Sequence, residues 1–167
     1  MMSILRLDPS HAAAIRVLRL RALREEPTAF LASYEEDVVD WTDEFISASL
    51  SKPRGTGVFG AFEETLVGMV GLLRETRTKS RHRARIWGMY VAPEARTRGL
   101  GRALLEAAIA EARSVGIEHL ELTVAAPQSR ARTLYERAGF RAIGTIHAAM
   151  RVNGDDVDED FMVLSLV

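Results

Sequence analysis

The sequence contains no cysteine, which excludes a disulfide framework, a thiol nucleophile and a thiolate metal site. Aromatic residues make up only 7% of its 167 residues. Neither sign of charge dominates: 22 Lys and Arg face 23 Asp and Glu, a net charge of −1, so no global field draws the chain to nucleic acid or to an anionic membrane. No apolar run approaches the ~20 residues needed to span a bilayer. The N-terminal stretch Met1-Met2-Ser3-Ile4-Leu5-Arg6-Leu7-Asp8 meets charge too early for a signal peptide, and a cytoplasmic location is expected. The four histidines, His11, His82, His119 and His147, lack the spacing of a zinc motif, so no metal is expected.

What is present is an ordinary globular composition, 47% hydrophobic and 27% charged, in a length that implies one domain over residues 1–167. Ser3–Leu7 alternates like a strand. A helical stretch opened by Pro9 then carries Ile15, Leu18 and Leu23 up to Pro27. Thr28–Asp40 reads as irregular and acidic, and Trp41–Leu50 as a short helix ended by Lys52-Pro53-Arg54-Gly55. Gly57–Phe62 and Leu66–Leu73 form an expected hairpin, with Ala84–Val91 as the next strand after a basic loop. The remainder reads as helix Gly99–Val115, strand Ile117–Val124, helix Gln128–Ala138, strand Phe140–Met150 and strand Asp160–Leu166. With no repeat and no linker, the expectation is a mixed α/β fold with helices covering a central sheet.

The most informative segment is Met89-Tyr90-Val91-Ala92-Pro93-Glu94-Ala95-Arg96-Thr97-Arg98-Gly99-Leu100-Gly101-Arg102. It joins a strand to a helix, so unpaired N–H groups of the helix's first turn converge where the glycines permit close approach. Arg96, Arg98 and Arg102 add bidentate donors suited to a pyrophosphate. The alternative is a glycine-bearing N-cap with arginines in water; three arginines interleaved with the glycines favour the anion cradle. The segment is not a P-loop, having no Gly-Lys-Ser/Thr. A dinucleotide-binding turn would place a third glycine where Leu104 stands.

Arg96-x-x-Gly99-x-Gly101 resembles the acyl-CoA signature of the GNAT N-acetyltransferase superfamily, and Leu134-Tyr135-Glu136-Arg137-Ala138-Gly139-Phe140 resembles its second hallmark. The element order is similar over essentially the whole chain, most specifically in its last two-thirds. The resemblance implies a mixed, mostly antiparallel sheet flanked by helices and acetyl-CoA as co-substrate, with a homodimer as one arrangement the family uses. It implies that the backbone of Met89, Tyr90 and Val91 pairs with the pantetheine arm, and that the Met89 amide polarises the thioester carbonyl. The residues Arg96, Thr97, Arg98, Gly99, Leu100, Gly101 and Arg102 would wrap the pyrophosphate. Gln128 stands where the family usually has a cofactor-touching asparagine and offers the same amide on a longer stem. Tyr135 would protonate the departing thiolate, a task suited to a phenol of pKa ~10. Its place in the stripe Ala131, Leu134, Tyr135, Ala138 also fits a packing role.

An attacking amine must lose its proton, yet the strand Arg85-Ile86-Trp87-Gly88-Met89 holds no carboxylate. Glu75, His82 and the pair Glu35-Glu36 are candidate bases or solvated surface residues, and the base is left unassigned. For the acceptor, the resemblance points to two acidic segments, one with Glu25, Glu26, Glu35, Glu36, Asp37 and Asp40, the other with Asp155, Asp156, Asp158, Glu159 and Asp160. With Phe30, Tyr34 and Trp87 as aromatic walls they suit a cationic amine, unless they are merely solvated loops. The basic loop Arg74–Arg85 lacks interleaved aromatics, so nucleic acid is not expected as a partner. The remaining alternative is an acyl-CoA-binding sensor of the same fold, which need not retain Tyr135.

Overall fold

The computed structural model covers residues Met1–Val167. Strand β1 (Ser3–Arg6) leads through a 3-10 turn into helices α1 (Ala12–Glu25), α2 (Tyr34–Asp40) and α3 (Asp43–Leu50). Strands β2 (Gly57–Phe62), β3 (Leu66–Arg74) and β4 (Arg83–Val91) follow, then a second 3-10 turn and α4 (Leu100–Ser114). The chain closes with β5 (His119–Ala125), α5 (Ser129–Arg137), β6 (Arg141–Val152) and β7 (Asp155–Ser165). The strands form one sheet in the order β1-β2-β3-β4-β5-β7-β6, antiparallel throughout except where β4 meets β5. This is the mixed, mostly antiparallel sheet flanked by helices that the sequence led us to expect.

Strand β3 is buried from Leu66 to Leu72 because α1 packs on one face and α4 on the other. Ile15, Leu18, Ala22 and Leu23 supply the buried stripe of α1, and Leu100, Leu104, Leu105, Ala108 and Ala112 that of α4. Both follow the i, i+3, i+4 spacing that sets one helical face against a sheet. The α4 stripe reaches down to Gly68, whose missing Cβ would stand 3.1 Å from Leu104 Cδ1.

Two expectations are corrected. Residues Tyr34–Asp40, read as irregular, form α2, started by a capping box in which Ser33 accepts from the Glu36 amide and the Glu36 side chain returns to Ser33. Periodicity missed this helix because it buries a single residue, and that residue is an aspartate, Asp37. The acidic loop expected between the last two strands is also absent. β6 and β7 run into a two-residue turn at Asn153-Gly154, whose φ angles of 51° and 86° mark a type I′ hairpin. Asp155 through Asp160 therefore lie on β7, with Asp156 bonded to Arg151, Asp158 to His147 and Asp160 to Arg132.

No helix is long and apolar enough to cross a membrane.

Candidate active site

The only parallel pairing in the sheet is also its shortest, Arg83–Arg85 against His119–Glu121. Beyond Arg85 the two strands diverge, so from Ile86 to Val91 the edge of β4 that faces β5 has no strand partner. On its other edge β4 is bulged: Met69 aligns with Tyr90 and Gly71 with Trp87, leaving Gly88 and Met89 without a register partner. Gly88 takes φ +63°, a left-handed conformation that glycine adopts without the Cβ clash other residues pay. The splay and the bulge together leave the half-buried Gly88 and Met89 of β4 without strand partners.

The next segment leaves more unpaired. After Ala95 the backbone turns through Thr97 at φ 67° and Gly99 at φ 78° and enters α4, whose N-cap has no side-chain hydrogen bond. None of the amide N–H groups from Thr97 to Arg102 has an acceptor anywhere in the chain. A threonine held left-handed costs on the order of 1–2 kcal/mol, strain that persists where the surrounding structure imposes it. Here it turns successive N–H groups toward a helix N-terminus, which carries about half a positive charge.

These donors line a cleft of about 680 Å³. Met89, Tyr90, Val91, Arg96, Thr97, Gly99, Leu100, Gly101 and Arg102 form one wall, and Gln128, Ala131 and Leu134 of the α5 side form the other. Arg98 is the exception among the residues expected to hold the cofactor: its guanidinium turns away to Glu63 and to the Glu94 carbonyl at 3.1 Å. Arg96 lines the cleft, but its donors are engaged, Nε to the Val91 carbonyl at 2.9 Å and Nη2 to Glu26 at 3.0 Å. The Gln128 amide donates to Thr28 Oγ1 at 2.9 Å. Past Gly99 the cleft continues as a groove of about 820 Å³ between α4 and α5, where Arg130 and Arg137 carry no ion pair. Exposed arginines on a predicted helix gave no signal in the sequence.

Tyr135 is buried in α5, its ring edge against Phe140 at 5.9 Å. Its hydroxyl makes no hydrogen bond in the chain and is not sealed from solvent. Burial pushes its pKa up, so the phenol stays a proton donor. Tyr135 is not itself among the residues lining the cleft, whereas Ala131 and Leu134 of the same helix are. Tyr90 donates its phenolic proton to Glu25, which also accepts from Arg21. Arg21 in turn forms a bidentate pair with Glu94 at 2.7 and 2.8 Å.

On the opposite face, Phe30 and Trp87 join the cluster around Arg19 of α1 and Tyr34 does not. The Arg19 guanidinium lies 4.9 Å from the Phe30 ring centroid and 4.7 Å from that of Trp41, and Trp41 meets Trp87 edge-on at 5.7 Å. Tyr34 stacks instead on Arg24 at 3.8 Å. Arg19 was missed in the sequence although it falls at i+4 from Ile15, on the buried stripe. Of the acidic residues, Glu25, Glu26 and Asp37 are paired with arginines and Glu36 caps α2. Glu75 and His82 flank the Arg83 end of β4. Met89 stands further along by about 20 Å at ~3.3 Å per residue, too far for either to take a proton there.

A family model described as the acetyltransferase (GNAT) family matches residues 12–140. Two curated mycothiol acetyltransferases are similar to part of the chain. That of Propionibacterium freudenreichii is 38% identical over 65 residues, and that of Beutenbergia cavernae 43% identical over 63. Each match covers under two-fifths of this chain and 21% of the relative, so the chain spans about a fifth of their length. An acetyltransferase of the GNAT family from Streptococcus pneumoniae superposes with a TM-score of 0.87 at 24% identity, over 99% of this chain and 100% of that one. A putative acetyltransferase from Salmonella typhimurium, solved with its cofactor acetyl-CoA, superposes at 0.81 with 22% identity, over 99% and 94%.

Proposed function

The chain belongs to the acetyltransferase (GNAT) family, and on that premise we propose that it moves the acetyl group of acetyl-CoA to a primary amine by direct attack within a ternary complex. The observation that carries the reading is the unbroken run of acceptor-less N–H groups from Thr97 to Arg102 at the mouth of the splayed strands. Consecutive convergent amides at a helix N-terminus are a pyrophosphate site, and the Arg130 and Arg137 groove beyond suits further phosphate. The residues therefore fit acetyl-CoA, which when bound supplies an acyl thioester.

Each residue then has a task. The β4 edge at Met89, Tyr90 and Val91 pairs with an extended pantetheine arm as a strand would, and the Met89 amide at the bulge polarises the carbonyl. Arg96 acts by holding the Val91 carbonyl and Glu26, fixing the end of β4, while Arg102, Thr97, Gly99, Leu100 and Gly101 cradle the phosphates. Gln128 closes the far wall. The amine nitrogen bonds to the carbonyl carbon, the carbon–sulfur bond breaks, and sulfur takes a proton from Tyr135, whose burial holds that proton until then and whose unsealed hydroxyl regains one from water. The amine's own proton leaves to water, since no carboxylate stands on β4 beside Met89. The reading includes an amine that arrives as a cation and a cytoplasmic enzyme needing no metal, nucleic acid or membrane.

Calorimetric titration of acetyl-CoA is the test, with Gly101→Val as control. At Gly99 the positive φ would strain any valine, whereas at Gly101 the added carbons meet Leu134 Cδ2 from 3.4 Å and enter the cleft. Saturable binding weakened in the variant, followed by thiol release with an amine, is the expected result. Binding without turnover on any amine would leave an acyl-CoA sensor, and no binding at all would overturn the reading.

A further inference from the structure

Resting on that acetyl-transfer reading, we propose that Arg19 anchors the carboxylate of the acceptor, which makes the acceptor an amino acid whose free amine lies close to its carboxylate. Arg19 sits on the buried face of α1 with a side chain only 8% exposed. Its Nε donates to Asp37 Oδ2 at 2.8 Å, and no other hydrogen bond of its guanidinium is made within the chain. The donors on Nη1 and Nη2 are neither satisfied nor sealed from solvent. A side chain this deep that reaches solvent only through two unpartnered amino groups presents both of them to whatever enters that space.

Where those groups point identifies the place. A Cβ on Gly88 would meet open space except for Arg19 Nη1 at 3.7 Å. Gly88 is the bulge residue, one position before Met89 in the acetyl-transfer cleft. The absent side chain at Gly88 thus leaves room between Arg19 and the reacting end of β4.

The kind of group follows from what surrounds the guanidinium. Phe30 and Trp41 stack against it, which leaves its in-plane edges for recognition, and Asp37 holds the Nε edge. The edge that remains matches a planar carboxylate taken bidentately. Asp37 already neutralises the guanidinium, so a phosphate dianion would bring two uncompensated negative charges where a carboxylate brings one. The nearness of Gly88 to Met89 means that carboxylate and reacting amine must belong to one small molecule, which excludes a lysine side chain within a protein.

The chain's two tryptophans, Trp41 and Trp87, both lie in this cluster, so intrinsic fluorescence reports on it. N-acetyl amino acids, the products of the proposed reaction, are titrated into the protein with coenzyme A, beside the matching uncharged N-acetyl amino acid amides. At least one acid is expected to change the emission saturably and to bind at least tenfold tighter than its amide. Arg19→Lys, which keeps a cation opposite Asp37 but loses the planar fork, is expected to abolish that preference while acetyl-CoA affinity is unchanged. If that variant does not fold, the acid-against-amide comparison on the wild type still decides. Equal binding of acids and amides, or no binding by any acid, overturns the anchor. Should either occur while acetyl-CoA binds and a simple amine is acetylated, acetyl transfer stands and only the carboxylate anchor falls; failure of acetyl-CoA to bind sinks both.

Discussion

On the α4 side of β4 the polar groups offered to a ligand are main-chain N–H groups, whereas on the α1 side they are side chains, Arg19 and the aromatics around it. The first surface depends on φ angles at Thr97 and Gly99 and on a helix start, all within a few residues of one another. The second depends on contacts between residues far apart: Arg19 with Asp37, Trp41 with Trp87, and Arg19 with the bare face of Gly88. A backbone site recognises what every substrate of the family shares, and a side-chain site can be changed one residue at a time. On the reading proposed above, the two faces divide a common co-substrate from a particular acceptor.

The sharpest way to break this division is at Tyr135, the one side chain on the cofactor side to which the chemistry assigns a proton. Tyr135→Phe should lower kcat by roughly 10²- to 10⁴-fold, the span of a lost general acid, and leave acetyl-CoA affinity unchanged in calorimetry. An unaltered kcat would return Tyr135 to packing against Phe140.

If the phosphate cradle is main chain, steric intrusion should cost more than loss of an arginine. Gly101→Val should weaken acetyl-CoA binding by roughly 5- to 150-fold, taking about 1–3 kcal/mol for an overpacked contact. Arg98→Ala, whose guanidinium is turned to Glu63 and the Glu94 carbonyl, should change it little. Calorimetry on both variants checks the order, and a larger effect at Arg98 would reverse it.

The same contrast explains what was legible in the sequence. The proposed phosphate cradle is built only from neighbours in the chain, so Arg96-x-x-Gly99-x-Gly101 pointed to it, as periodicity pointed to the strands around it. Where partners come from distant positions, the sequence offered fragments. Arg19 stood on an apolar stripe where a charge has no business without a partner, and Asp37 was that partner, on a helix too short and too polar to show a period. The last hairpin shows a different failure. Asn153-Gly154 is the strongest short-range signal for a tight turn, but the run of acidic residues beside it was read as a loop, although aspartates opposite arginines, as Asp156 is to Arg151, sit readily on exposed strand faces. Arg98 marks the limit of motif reading: its position in the signature was clear, and the direction of its side chain was not.

Gly71→Ala perturbs the α1 side alone. A Cβ there would stand 2.0 Å from Trp87 Cε2, so the indole must leave its seat, at a cost of about 1–3 kcal/mol for overpacking. The melting temperature should fall and tryptophan emission should shift, while acetyl-CoA affinity stays at the wild-type value. A matching loss of acetyl-CoA binding would mean that the two faces are coupled through β3 and β4 and are not separable.

The smallest effect is expected where the two sides are tied together at the surface, in the chain of contacts from Glu94 through Arg21 and Glu25 to Tyr90. The Arg21 guanidinium holds the Glu94 carboxyl down to about 2, against an ordinary value of 4.5, and Tyr90 and Arg21 lower Glu25 as well. A carboxylate whose pKa is lower folded than unfolded contributes stability above its unfolded pKa and loses it as pH falls toward the folded one. The contribution should thus be complete above about pH 5 and fade between about 4.5 and 2. Because Glu94 is exposed, salt screens it. Melting curves of Glu94→Gln and wild type should differ slightly at neutral pH and low salt, and converge as the pH drops through that window. Tyr135 works in the opposite direction: burial raises its pKa, so its stabilising effect is present below about 10 and is lost only as pH climbs above that. Melting curves that already coincided at neutral pH and low salt would show that Arg21 grips Glu25 alone, leaving Glu94 a bystander and the α1 side joined to β4 only through Tyr90.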